Sequence, residues 1–207
     1  TAYLAVLSTA LTVPLAIAAA VYIARFARAP FIVTFLRGAL DSLASLPSVV
    51  YGLFGFLVFV VHMRAGYSLL AGALTLALLN LPMVVSVTEE SLRDVPRELE
   101  DASLALGATP LQTIWYVTLP AAWRGILGAV VLGVGRVFAE SAPLMLTAGT
   151  AVSRATAYSL NPFRGGETLA VHLWYVNSVG LSPDRVEVSA GTAAVLVVLV
   201  GAMDTLA

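Results

Sequence analysis

The chain of 207 residues contains no cysteine, and all eleven of its basic residues are arginine, so it has no lysine either. Without cysteine there is no disulfide, no thiolate metal site and no cysteine nucleophile. Without lysine there is no Gly-x-x-x-x-Gly-Lys-[Ser/Thr] loop, so the chain does not carry that nucleotide-hydrolysing motif. Charge of both signs is scarce. Asp, Glu, Lys and Arg make up 11% of the residues, against roughly 25% in an average soluble domain. The formal net charge is −1, so no basic field points to nucleic acid. His-x-x-x-His is absent and histidine occurs only twice, at His62 and His172, so a metal site has little to be built from. An intramembrane protease would need a Ser–His pair, a His-Glu-x-x-His helix or paired intramembrane aspartates, and none of these occurs. There is no basic n-region with a cleavage site, so no signal peptide is expected.

What fills the chain instead is apolar. Hydrophobic residues make up 59% and mean hydropathy is +0.93. A bilayer core about 30 Å thick needs roughly 20 apolar residues as a helix. Residues 1–24, 42–61 and 65–88 hold no charge. A fourth run starts near Gly125 and is interrupted only by Arg136 and Glu140, and a fifth covers Val188–Met203. Five such runs leave too little polar sequence to coat a soluble protein, so lipid is the expected solvent. The predicted fold is all-α: a polytopic transmembrane bundle of five spans, forming one domain over residues 1–207. Beginning at Thr1 and ending within an apolar run, the chain reads as trimmed, with six spans expected in the full protein.

Arginine placement sets the orientation. Arg25, Arg28, Arg37, Arg93, Arg97 and Arg124 fall on one side, and Arg64, Arg154, Arg164 and Arg185 on the other. The larger set puts the long segment 89–120 in the cytoplasm. Within the spans, Pro14, Pro47, Pro82 and Pro143 each remove a backbone donor. Asn161–Gly166 reads as an external turn, and both histidines as external polar residues.

Segment 89–120 reads as two short helices. The first is expected from Pro96 to Leu106, with Leu99, Ala102 and Leu106 on one face and Gly107 at the left-handed position after it. The second opens with Thr109, Pro110 and Gln112, which have capping-box spacing. It is expected to present Leu111, Ile114 and Trp115 as an apolar ridge and to end at Pro120. Such a ridge suits a groove on a partner protein or the headgroup layer of a membrane, and the residues alone leave both open.

In the fourth run Gly125, Ala129 and Gly133 recur every four residues, a stripe that permits close helix contact. Arg136 and Glu140 are i, i+4 and are expected to continue that stripe, facing each other or a polar path. Charge inside a bilayer is costly enough to mark either an anion pathway or an ion pair that orders the bundle.

Segment 89–120 resembles the cytoplasmic motif of ABC-importer permeases: Glu-Ala-Ala, three residues, Gly, nine residues, Ile, one residue, Leu-Pro. Here it reads Asp101, Ala102, Ser103, then Gly107, then Val117, Leu119 and Pro120, with every spacing kept. Arg136-x-x-x-Glu140-Ser-Ala-Pro-Leu, the stretch Leu46–Gly55 and Thr88-Glu89-Glu90 are similar to the phosphate-importer permeases of that family, and more to the A-type subunit. From Ala151 to Asp184 the likeness weakens, although Leu169–Tyr175 within it resembles the family's Leu-Pro-Val-His-Ile-Tyr, with Ala170 where the family has proline. The resemblance implies a transport subunit without catalytic residues, resident cofactor or metal. It implies pairing with a homologous permease, two copies of a cytoplasmic ATPase and an extracytoplasmic phosphate-binding protein. The residues it assigns to coupling are Asp101, Ala102, Ser103, Leu106, Gly107, Leu111, Trp115, Leu119 and Pro120, and Arg136 and Glu140 line the path. An importer for sulfate, molybdate or tungstate would use the same architecture, and an ATP-independent channel or carrier is the rival class.

Overall fold

The computed structural model describes residues 1–27, 29–150, 160–179 and 184–206. Arg28 and Arg154, two of the arginines that set the expected orientation, lie outside the described residues. Among the described residues all regular structure is helical. Helix α1 (Ala2–Val21) passes into a π-helical turn, Tyr22–Phe26. Then come α2 (Pro30–Ala44) and α3 (Ser48–Gly55), the latter extended by a π-helical segment to His62. The long α4 (Leu69–Arg93) leads into α5 (Arg97–Ala105) and α6 (Pro110–Thr113). A π-helical turn, Ile114–Thr118, joins α6 to α7 (Leu119–Ala121), and α8 (Trp123–Ala139) follows. The chain closes with α9 (Ala142–Thr147), α10 (Leu169–Ser178) and α11 (Arg185–Leu206).

Among the described residues three helices are long and apolar enough to cross a membrane: Ala2–Phe26, Leu69–Arg93 and Arg185–Met203. Two bent pairs pass the same test together, Pro30–Ala44 with Ser48–His62 at 95° and Pro110–Ala121 with Trp123–Ala139 at 67°. Counted as one span each, they bring the total to the expected five. The second run is nevertheless not the straight helix over 42–61 that its lack of charge predicts. Pro47 disfavours helical backbone at Leu46 and itself lies at ψ 143°, so the chain turns there and a new helix starts at Ser48. The fourth run breaks as well. Helix α8 ends at Ala139, Glu140 is extended, and Pro143 opens α9, because its ring and missing N–H block continuation of the α8 ladder. Pro14 and Pro82, in contrast, sit inside unbroken helices.

Helix α4 is the centre of the fold. It packs along α1 over almost its whole length and also touches α3, α8 and α9. Toward one end the core gathers Leu4, Leu76, Leu79, Val137, Leu144 and Val171; toward the other it gathers Ala16, Ala20, Ile23, Val84, Val85 and Leu92. Small residues let the backbones approach. Gly125 faces Ser91, and Gly133 faces Val84. The first amides of α4 would be orphans inside an apolar shell, and the external segment satisfies them. Ser68 N donates to Thr147 O at 3.1 Å, Leu69 N to Arg164 O at 2.8 Å and Leu70 N to Pro162 O at 2.8 Å.

At its other end α4 continues to Arg93, so Glu89–Arg93, expected as the start of the loop, is its last turn. The buried Glu89 carboxylate accepts from Arg37 Nη2 at 2.5 Å and pairs with Arg93 Nε at 3.0 Å. Helix α2 buries none of its own residues. The Arg37–Glu89 pair is therefore its main polar tie to the bundle.

Two expectations follow. In Gly52→Ala the new methyl group would lie 2.8 Å from Pro143 Cα, a backbone atom, whereas at Gly38 nothing lies within 4 Å. Gly52→Ala should lose about 1–3 kcal/mol by overpacking, read as a lowered Tm in detergent, and Gly38→Ala should lose nothing. Glu89→Ala should weaken the hold on α2 by about 1 kcal/mol, since both arginines are partly solvated, and should raise hydrogen exchange over 30–44 ahead of the rest.

Candidate functional site

Segment 94–122 leaves the bundle as a bracket. Val95 is buried and anchors its start. Helix α5 buries none of its residues, and Asp101 and Ala102 are exposed on it. It ends as its sequence dictates. Gly107 takes φ +88°, Gly107 N donates to Leu104 O at 3.0 Å and Ala108 N to Ser103 O at 3.2 Å, which closes the last carbonyls. Nothing lies within 4 Å of a Cβ at Gly107, so backbone torsion rather than space calls for glycine there. The capping box forms as the spacing predicts. Thr109 N donates to Gln112 Oε1 at 2.8 Å, and Gln112 N donates to Thr109 Oγ1 at 3.3 Å.

The ridge differs from the simple helical face. Leu111 and Trp115 are exposed, but Ile114 is buried and Tyr116, 79% exposed, stands in its place. The cause is the π-helical turn beginning at Ile114, whose wider winding rotates the following side chains away from the i, i+3, i+4 register. With Leu106 at 90% exposure, the bracket offers Leu99, Leu104, Leu106, Leu111, Trp115 and Tyr116 outward. Leu119 is half-buried and Pro120 exposed. Pro120 does not end the helix; α7 runs on to Ala121, and the chain bends by 67° into α8.

Polar contacts brace the bracket internally and, through Arg25, tie it to the body. Ser103 Oγ and Thr113 Oγ1 are 3.0 Å apart, joining α5 to α6. The Glu100 carboxylate receives Arg25 Nη2 at 2.7 Å, Arg25 Nε at 2.8 Å and Thr118 Oγ1 at 2.9 Å, all on one oxygen. Arg25 Nη2 also donates to Leu92 O at 2.5 Å. In the sequence Arg25 stands out only as a positive residue at the end of an apolar run, and no spacing rule links it to a residue 75 positions away.

The second cluster lies where α3, α8 and α9 meet. Arg136 Nε is 3.5 Å from Glu140 Oε1, with side chains 36% and 17% exposed. The expected pair forms, but it flanks the small-residue stripe rather than continuing it. Val137, fully buried, carries on the series Gly125, Ala129, Gly133 at the four-residue interval, so Arg136 is turned to one side of the α4 contact. Asn80, buried in α4, donates from Nδ2 to Gly133 O at 3.3 Å, one turn before Arg136. From α3, Tyr51 comes within electrostatic reach of Arg136, while its hydroxyl donates to Leu43 O at 2.8 Å. Gly52 lies against Pro143. The stretches Leu46–Gly55 and Arg136–Leu144, separate in sequence, thus form one packed corner around a charged pair. His172 Nδ1 pairs with Glu167 at 2.9 Å, and His62 is exposed at the end of its π-helical segment.

Comparison with known proteins agrees with this architecture. A probable ABC transporter permease, YqgI of Bacillus subtilis (strain 168), is 40% identical over 207 residues, covering 96% of this chain and 70% of that protein. The phosphate transport system permease PstA of Mycobacterium leprae (strain TN) is 40% identical over 147 residues, 70% of this chain and 47% of the relative. A PstA homolog of Mycoplasma pneumoniae (strain ATCC 29342 / M129 / Subtype 1) is 32% identical over 194 residues, 91% of this chain and 29% of the relative. The chain thus spans about half or less of these two phosphate-system relatives. Among solved structures, an inward-facing MetNI methionine ABC transporter superposes with a TM-score of 0.72 at 19% identity, covering 98% of this chain and 87% of that one. At that identity the likeness speaks for the fold alone. Residues 12–205 match the family described as binding-protein-dependent transport system inner membrane component. The chain belongs to that family of ABC-transporter permeases and is a multi-pass membrane protein.

Proposed function

We propose that this chain is a permease subunit of an ATP-driven importer of inorganic phosphate, of the A type. In this reading it forms the translocation path with a homologous permease. Two copies of a cytoplasmic ATPase bind below, and an extracytoplasmic phosphate-binding protein delivers the anion. The observation that carries the substrate is the identity of 32–40% to several proteins named as phosphate transport system permeases.

The bracket 94–122 is the coupling element. Its exposed leucines, Trp115 and Tyr116 form an apolar ridge suited to a groove on the ATPase, the mode in which a short helix docks by spaced anchors. Hydrolysis resides in that partner. Closure of the ATPase pair displaces the bracket, and the two bent spans, which enter the bundle at angles, swing to change access. Arg136 offers a planar, permanently charged fork to the oxyanion. Glu140 holds the guanidinium until phosphate competes for it, so the path carries no unpaired charge between transport events.

The test is co-reconstitution with the sister permease, ATPase and binding protein, with ATPase stimulation and uptake compared for phosphate, sulfate and molybdate. Phosphate alone should stimulate. In Arg136→Ala, loss of a charged hydrogen bond worth about 1.5–3 kcal/mol should lower uptake by about tenfold or more while the complex still assembles. Stimulation by sulfate or molybdate would overturn the substrate, and undiminished uptake in the variant would remove Arg136 from the path. Gly107→Pro should leave membrane insertion intact and uncouple hydrolysis from uptake; normal transport by that variant would refute the coupling role.

A further inference from the structure

Helix α5 is the most loosely seated element of the bracket. It buries none of its residues, and its flanking links turn at Pro96 and at the positive-φ Gly107. Its side-chain ties are few. Ser103 reaches Thr113, within the bracket itself. Glu100 reaches Thr118, also within the bracket, and Arg25, at the end of the first span. Among the described residues, Arg25–Glu100 is the one ion pair that joins α5 directly to a membrane-crossing helix.

The surroundings make this contact stiff. Both side chains are largely shielded, at 16% and 18% exposure, and the guanidinium places Nε and Nη2 on the same carboxylate oxygen. Charge-assisted bonds of this kind are stronger and more directional than neutral ones. The same Nη2 donates to Leu92 O, a carbonyl of the last turn of α4 that has no partner within its own helix. The positive charge thus sits at the negative end of α4, and the Glu100 carboxylate lies in the first turn of α5, so both helix dipoles favour the arrangement. Arg25 itself lies in the π-helical turn Tyr22–Phe26 that ends the first span. The end of α4 and the start of α5, close in sequence, therefore meet one guanidinium that lies 67 and 75 positions before them.

We propose that Arg25 and Glu100 are a clasp that transmits displacement of α5 into α1, so that the coupling bracket drives the first span as well as α4 and the bent span to which it is covalently joined. This rests on the importer reading above. Arg25 and Glu100 are positioning residues, touching neither anion nor nucleotide. Two covalent routes run beside it: the short link from α4, where Val95 is buried, and the path through α6, α7 and the 67° bend, which contains an exposed proline and a π-helical turn.

The experiment uses the reconstituted complex of wild-type chain, sister permease, ATPase and binding protein, and reads ATP hydrolysed per phosphate imported. Arg25→Gln and Glu100→Gln should each raise that ratio by about fivefold or more, the size of a coupling loss of 1 kcal/mol upward, with the ATPase still bound. Because these 207 residues lack cysteine, R25C/E100C introduces the only two thiols among them. That variant should waste ATP until a bismaleimide bridges the two positions, and the bridge should restore the wild-type ratio. Single variants that keep the wild-type ratio, or a bridged double variant that stays uncoupled with its ATPase bound, would overturn the clasp and leave the importer standing. Failure of the wild-type chain to bind any ATPase would overturn the importer reading, and the clasp with it.

Discussion

The burial of α4 is the constraint on which the rest of the molecule depends. A helix crossing a membrane satisfies its own backbone but gains no hydrophobic drive from packing on another apolar helix, so contact must come from shape. Along α4 that shape is supplied by small residues: Ala16 and Ala20 from α1, and Gly125, Ala129 and Gly133 from α8. These close approaches bring the polar groups of α4 into play. Asn80 reaches the α8 backbone, and Glu89 gathers Arg37 and Arg93. The outer helices are less committed. Helix α11 is apolar yet buries little of itself, and α2 buries nothing, which leaves broad faces for lipid or for another subunit.

Function follows from where this packing stops. Both ends of α4 are closed by segments that are not spans: the external loop carbonyls of Pro162 and Arg164 at one end, and the Arg25 guanidinium at the other. At the second end the chain leaves the bundle as an exposed bracket and returns through a sharp bend. Within that bracket α5 buries none of its residues and is held by directed polar contacts, so a partner can displace it at little cost to the core.

The fold class and much of the bracket were legible in the sequence because they rest on local rules. Uncharged runs long enough for a bilayer, a capping box at Thr109 and Gln112, and a glycine at the left-handed position 107 need no knowledge of distant residues. The errors arose where tertiary contact overrides a local pattern. Charge-free length alone hid the corner at Pro47 and the break at Glu140, since a proline kinks one helix and ends another according to what packs against it, as the unbroken helices at Pro14 and Pro82 illustrate. Helical periodicity misassigned Ile114 because the backbone leaves α geometry at that residue. The four-residue interval of the small-residue stripe leads to the buried Val137, which leaves Arg136 beside it. Arg25–Glu100 and Arg37–Glu89 bridge 75 and 52 residues, beyond any spacing rule.

The account turns on the claim that the exposed bracket meets an ATPase and moves with it. The most direct measurement is a distance. Leu106, the most exposed large apolar side chain of the bracket, can be replaced by cysteine in an otherwise cysteine-free chain, spin-labelled, and paired with a label beside the docking groove of the ATPase. The account predicts a short, well-defined separation in the assembled complex, together with a shift on ATP binding in the distance from Leu106 to a second label on α8. A Leu106 label that stays remote from the ATPase, or one whose distance to α8 is indifferent to nucleotide, would contradict it.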